Sequence, residues 1–237
     1  MIVSINQPAY LPWLGYFERI ASSDVHVILD HVQFEKNSFV NRNRVLTADG
    51  PTWLTVPIKT KGRFGELPIC DVEIDNQLPW RRKHWQTLQQ AYSQAEHFRE
   101  HAAFFADAYA QEWTCLGALC QHMTRYLLDQ FGIDTKCVMS STLNLKSRRS
   151  ELLLELCQSL GADEYVSGVL GRDYLDIKPF EDAGVGVSFQ DYKHPAYAQM
   201  RGQEFVSHMS AVDLLFNHGP ASRDVLLNQA HVSQECP

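Results

Sequence analysis

Short β-branched runs punctuate the first thirty residues, Ile2 to Ile5 and then VHVIL from Val25 to Leu29. Between them, apolar side chains recur at Leu14, Phe17 and Ile20, a helical spacing that predicts a helix over Leu14 to Ser22. The opening thus reads strand, loop, helix, strand. A right-handed crossover makes two such strands parallel and leaves the first loop at the carboxyl edge of the sheet.

Further on, Ala48-Asp49-Gly50-Pro51 is a turn signal between two β-rich runs, so Asn43 to Thr47 and Thr52 to Ile58 are expected to form a hairpin. A polar loop, Lys59 to Glu66, leads to a further expected strand, Pro68 to Ile74. From Pro79 the period becomes helical, through Trp85, Leu88, Tyr92, Phe105, Tyr109, Leu116, Leu119 and Met123, and predicts two or three helices up to Phe131. Ordinary amphipathic packing accounts for this aromatic stripe. Alternation then resumes: strand Thr135 to Met139, helix Ser147 to Leu160 stopped by Gly161, strand Tyr165 to Val166, helix Arg172 to Ala183 and strand Val185 to Phe189. Closing helices are expected at Ser210 to Phe216 and Ala221 to Asn228. The pattern predicts an α/β fold: a mostly parallel, Rossmann-like sheet with a β-hairpin elaboration and an inserted helical subdomain. One α/β domain over residues 1–229, a helical insertion at about 79–131 and a flexible tail at 230–237 follow from it.

Composition narrows the function classes. Apolar residues make up 45% of the 237 and charged ones 21%, which is ordinary for a globular chain. A net charge of −7 without a long basic stripe argues against nucleic-acid binding. Six cysteines lack CxxC spacing, no basic leader precedes Ile2, and no apolar run approaches about 18 residues. A cytoplasmic protein without membrane insertion and without a metal site is the expectation.

Candidate chemistry falls into four groups at expected strand ends. In the opening loop, QPAYLPWLGYF, prolines stiffen the backbone around Gln7, Tyr10, Trp13 and Tyr16, and Gly15 lets another surface approach. The same aromatics would equally pack against the helical insertion. After the second strand come Asp30, Gln33, Lys36, Asn41, Arg42, Asn43 and Arg44, which offer hydroxyl recognition and an anion clamp or, alternatively, a solvated hairpin. Arg42 and Arg44 share one strand face. Third, YVSGVLGRDYL places Ser167, Gly168, Arg172 and Tyr174 in a strand-to-helix loop suited to donor phosphate or developing negative charge. It is neither GxGxxG nor GxxxxGK[ST], and no cofactor is named. Fourth, QDYKHPAYAQ holds His194, stiffened by Pro195, with Asp191, Tyr197 and Gln199. Imidazole is the natural general base near neutral pH, and Asp191 or Asp30 could orient it.

QPAYLPWLGYFERIASSDVHVILDHVQFEKNSFVNRNRV, the WLTVPI hairpin, the YVSGVLGRDYL loop and YKHPAYAQ with MSAVDLLFNHGP resemble the WbqC-like family of bacterial proteins, to about Asn228. The resemblance implies a place among genes for O-antigen and other surface polysaccharides. It also implies transfer of an acyl or aminoacyl group, such as glycyl, to an amino sugar or nucleotide sugar, with an acyl- or aminoacyl-carrier as possible donor. A more distant similarity is to nucleotidyltransferases of the HIGH superfamily, which carry HxGH at the first helix. Here WLGY, Trp13 to Tyr16, keeps the glycine and lacks both imidazoles. The alternative it implies is a non-catalytic nucleotide- or sugar-binding protein.

Overall fold

The structure is a computed structural model, and it describes residues 1–60, 62–63, 65–199 and 204–227. The expected tail, 230–237, lies outside the described residues. Five strands, β1 (Ile2–Asn6), β2 (Val25–Ile28), β5 (Lys136–Met139), β6 (Glu164–Ser167) and β7 (Gly186–Phe189), form one parallel sheet in the order β5-β2-β1-β6-β7. The chain leaves β1 first towards β2 and β5, then returns to build β6 and β7 on the other side. This reversal puts a topological switch point between β1 and β6, where the crevice of a doubly wound sheet opens.

Alternation in β1 decides what covers each face. Val3 and Ile5, with Val25 and Val27, join Leu152, Leu153 and Leu156 of α5 (Arg149–Leu160) and Phe180 of α6 (Lys178–Asp182) in one apolar cluster. Ser4 and Asn6 point the other way, beneath α1 (Leu14–Ala21), with His26 of β2. There Ser4 Oγ lies 2.7 Å from Ser23 Oγ and 2.8 Å from His26 Nδ1.

The inserted region forms three helices, α2 (Trp80–Tyr92), α3 (Phe98–Ala110) and α4 (Leu116–Gln130). Their aromatic stripe is core: Phe216 of α7 (Ala211–His218) meets Tyr92, Phe98 and Phe105 with ring centroids 5.2, 5.1 and 5.3 Å away. The hairpin β3 (Arg42–Thr47) and β4 (Gly50–Thr55) packs into the same cluster, as does α8 (Ser222–Leu227).

Two expected elements differ. Pro68 to Ile74 is a 3-10 turn at Ile69–Asp71 flanked by isolated bridges, because Leu67, Ile69, Val72 and Ile74 bury at uneven spacing and Pro68 has no N–H to donate. The helix expected over Arg172 to Ala183 is a 3-10 turn, Val169–Asp173, followed by the short α6, with Pro179 in its first turn. Proline there starts a helix rather than continuing one. No long helix therefore stands behind the Gly168 loop, and its dipole plays no part in holding phosphate.

Two buried polar networks tie the inserted helices to the opening loop and to α7. Tyr10, fully buried, joins its hydroxyl to His84 Nδ1 at 2.9 Å and to the Tyr109 hydroxyl. Asp213, also fully buried, accepts from the Tyr92 hydroxyl at 2.8 Å, the Tyr197 hydroxyl at 2.8 Å and Gln199 Nε2 at 2.9 Å. Burial raises its pKa, and these three donors pull it back.

Asp213→Ala leaves the buried Tyr92 and Tyr197 hydroxyls without this acceptor, while Gln199 keeps Val206 O, and is expected to cost about 2 kcal/mol or more in urea unfolding. Asp213→Asn, whose carbonyl still accepts, should cost less; a loss below about 0.5 kcal/mol for the alanine variant would contradict the network. Burial holds His26 and His84 well below their ordinary value, to about 3 and about 4. Their unfolded forms bind protons first as pH falls below about 6.5, so stability present above that value is lost down to pH 3–4. His84→Gln should flatten the stability–pH slope in this window by up to about 1.4 kcal/mol per pH unit relative to wild type. An unchanged slope would show that His84 titrates normally.

Candidate functional site

The site is built at the carboxyl edge, where β1 ends at Asn6 and β6 at Ser167. Register pairs Val3 with Tyr165 and Ser4 with Val166, so Ser167 belongs to the α5 face while Gly168 continues the face of Asn6. The loop residues taken together from the sequence are thus split. Ser167 is fully buried; a Cβ on Gly171 would strike its hydroxyl, and Phe189 adjoins it. Gly168 instead lies over the guanidinium of Arg19, which a Cβ on Gly168 would hit. Its φ of −68° suits any residue, so close approach rather than backbone conformation requires glycine here. Arg19 stands one helical turn after Gly15 and donates Nη2 to Asn6 Oδ1. Burial depresses its pKa.

Past β7, a segment without regular structure crosses back over α1. Gln190 receives Ser167 O on its backbone N–H at 2.9 Å and donates its amide to Gly15 O at 2.7 Å and to the Glu18 carboxylate. Gly15 has the second enforced close approach, since a Cβ would collide with the Trp13 indole. Trp13 caps the start of α1 and bridges Ser210. Its ring stacks at 5.3 Å on His208 and 6.3 Å on His194, with Tyr192 edge-on at 5.7 Å.

His194 is half-buried in this aromatic enclosure. Its Nδ1 lies 2.9 Å from the Pro195 carbonyl. A carbonyl can only accept, so Nδ1 carries the proton and Nε2 presents a lone pair, and Nε2 is buried without a hydrogen-bond partner. Burial lowers the pKa of His194, the Pro195 bond partly restores it, and His208 lowers it again. The ring is a neutral base near pH 7.

Neither carboxylate expected to orient His194 does so. Asp30 is buried and accepts from Ser140 Oγ at 2.9 Å, Ser141 N at 2.8 Å and Ser141 Oγ at 2.7 Å. Asp191 is exposed, and the bond that orients the imidazole comes from Pro195. Tyr197 and Gln199, expected to touch a ligand, spend their polar atoms on Asp213, and Gln199 also closes the loop to Val206 in both directions. They support the segment that carries His194.

The opening loop divides similarly. Tyr10 and Tyr16 are core residues rather than ligand contacts, Tyr16 packing edge-on to Phe17 and His26. Gln7 is half-buried at the end of β1. Leu11 adopts a left-handed φ of 45°, and Asn43 Nδ2 secures its carbonyl at 2.7 Å. Asn41 donates to Val56 O at 2.9 Å. Both asparagines therefore hold backbone. Gln33 likewise bonds Phe34 O and Leu67 N, and Lys36 is exposed nearby.

Arg42 and Arg44 share a face, as their spacing requires, stacked 4.4 and 5.6 Å from the centre of the half-exposed Trp53 ring. Arg42 donates to Asn37 O at 2.6 Å, and among the described residues no carboxylate pairs with either guanidinium. Ser210 N donates to Arg44 O at 2.8 Å, which ties this hairpin to the strand bridge of Trp13. In the third group, Arg172 stacks 4.6 Å over Phe189, and Tyr174 is exposed. Among the described residues no cluster of three or more His, Cys, Asp or Glu side chains is arranged to hold a metal ion.

Asn6, Arg19 and His208 escaped the sequence reading. Arg19 had a signal: it lies four residues beyond Gly15 on a short helix, and that spacing puts both on one side. His208 had none, because its approach to Trp13 depends on the return of the chain through Ser210.

No helix among the described residues is long and apolar enough to cross a membrane. No solved structure matches the chain. The uncharacterized protein Rv1507c of Mycobacterium tuberculosis is similar to it, 38% identical over 226 residues that cover 94% of this chain and 96% of that protein. The sequence matches the WbqC-like protein family over residues 7–225, and the motifs that match, from the opening loop through the Gly168 loop to the His194 segment, are those that build this edge. The chain belongs to the WbqC-like protein family.

Proposed function

We propose that the protein is an acyl or aminoacyl transferase that modifies an amino sugar, free or carried on a nucleotide, in surface polysaccharide biosynthesis. The observation that carries this reading is His194: a neutral imidazole with Nδ1–H committed to a backbone carbonyl and Nε2 unbonded inside an aromatic enclosure. A sugar ammonium must first lose a proton to become the nucleophilic free amine, and that amine sheds a further proton as it is acylated. In the proposed step the amine nitrogen forms a bond to the acyl carbonyl carbon, Nε2 takes the amine proton, and the bond from that carbon to the leaving group breaks with its electron pair going to the leaving group. The aromatic rings exclude water and offer flat faces to a sugar. Arg42 and Arg44, stacked on Trp53 and without a carboxylate partner among the described residues, are the side chains suited to the diphosphate of a nucleotide sugar.

Turnover measured with a panel of nucleotide amino sugars and activated acyl donors tests the reading. His194→Gln is expected to lower kcat by about 10² to 10⁴ while leaving sugar binding nearly intact. Because His194 is depressed, the acid limb of kcat/KM should fall with an apparent pKa below the ordinary 6.5 and should vanish in the variant. Sugar binding without turnover on any donor would make the protein a binding module, and full turnover in His194→Gln would remove the base.

A further inference from the structure

Arg19 is a half-buried cation that makes no ion pair among the described residues, although the Glu18 carboxylate acts on it from beyond ion-pair distance. One guanidinium nitrogen, Nη2, donates to Asn6 Oδ1, Nε is buried without a partner, and Nη1 lies against Gly168. Among the described residues no carboxylate comes within ion-pair distance of it. Glu18, its neighbour in the chain, turns its carboxylate to Gln190. A charge withdrawn from water without a counter-ion is costly, and chains rarely keep one unless something else supplies the opposite charge.

A second orphan lies beside it. Asn6 is 8% exposed, and the nitrogen of its amide has no hydrogen-bond partner although the oxygen is bound to Arg19. Both groups sit at the end of β1, under Gly168 at the end of β6, in the crevice opened by the reversal of strand order. Gly168 lacks a side chain where one would strike the Arg19 guanidinium.

We propose that this crevice is a binding site for a small oxyanion, a phosphate or a carboxylate, with Arg19 as its counter-charge and Asn6 Nδ2 as a hydrogen-bond donor. The inference stands whether or not the transferase reading does, because it concerns binding alone. The anion supplies the charge that Arg19 lacks and the acceptor that Asn6 Nδ2 lacks. Two sources share this chemistry: a phosphate of a nucleotide or carrier, and the carboxylate of an acyl donor.

Thermal unfolding and calorimetry of the full chain, in a buffer free of other oxyanions, distinguish them. Inorganic phosphate stands for the first source and N-acetylglycine for the second. At least one should bind and raise Tm with increasing concentration, and the one that does identifies the source. Arg19→Met should weaken that binding at least about tenfold while leaving the ligand-free Tm equal to or above wild type, since it removes an uncompensated charge. An arginine that only braces the fold would lower the ligand-free Tm on removal. Gly168→Ala drives a methyl group into the guanidinium and should also weaken binding about tenfold; it carries the test alone if Arg19→Met does not fold. No response to either anion up to about 10 mM, or undiminished affinity in the variant that folds, overturns the site.

Discussion

A fully buried carboxylate, Asp213, holds together the elements of the carboxyl edge. Its oxygens gather a tyrosine from α2 and a tyrosine and a glutamine from the irregular 190–199 segment, so two remote stretches of chain share one acceptor on α7. The Tyr92 hydroxyl in turn accepts Leu46 N at 2.9 Å, which extends the network into the hairpin. A segment without regular secondary structure must find partners for its polar groups elsewhere. Here it finds them on α7, and His194 is held in place as a result. Ser210, just before α7, accepts Val212 N, bonds the hairpin at Arg44 and bridges Trp13, so the aromatic enclosure hangs from the same helix.

Electrostatics divide the edge into two compartments. Around His194 the neighbours are rings, and burial keeps the imidazole neutral with its free nitrogen defined by a backbone carbonyl. Under Gly168 a half-buried guanidinium is hydrogen-bonded to the Asn6 amide and makes no ion pair among the described residues. The first compartment suits proton transfer and the second suits an anion; Gln190, which bonds Gly15, Glu18 and Ser167, lies between them. Parallel topology explains why both lie at one edge, because every βα connection delivers its loop to the carboxyl ends of the strands.

Much of this was legible in the sequence. β-branched runs and helical spacing gave the parallel strands and the helical insertion, since burial on both faces leaves few other patterns. Proline and glycine drew attention to the opening loop and to His194-Pro195, both of which lie at the carboxyl edge. Patterning was less informative where a residue's role depends on a distant partner. Tyr10 reads as a ligand contact until α2 and α3 close over it, and Asn43 reads as a recognition amide until the left-handed Leu11 needs its carbonyl held. Asp30 reads as a partner for histidine until β5 brings Ser140 and Ser141 alongside. Ser167 and Gly168 are adjacent in sequence and on opposite faces of the sheet, which only register reveals. The uneven burial of Leu67, Ile69, Val72 and Ile74 defeated a strand assignment for the same reason: tertiary contacts, rather than local period, decide such short stretches.

The central claim is that the edge holds a neutral imidazole whose buried, unbonded Nε2 is unprotonated. Long-range ¹H–¹⁵N correlation spectra of the histidine side chains at pH 7 read this directly, with the His194 signals assigned by their loss in His194→Gln. The expected pattern is a protonated Nδ1 and a bare Nε2, with very different nitrogen shifts. A proton on Nε2 with Nδ1 bare, or two equally protonated nitrogens, would contradict it.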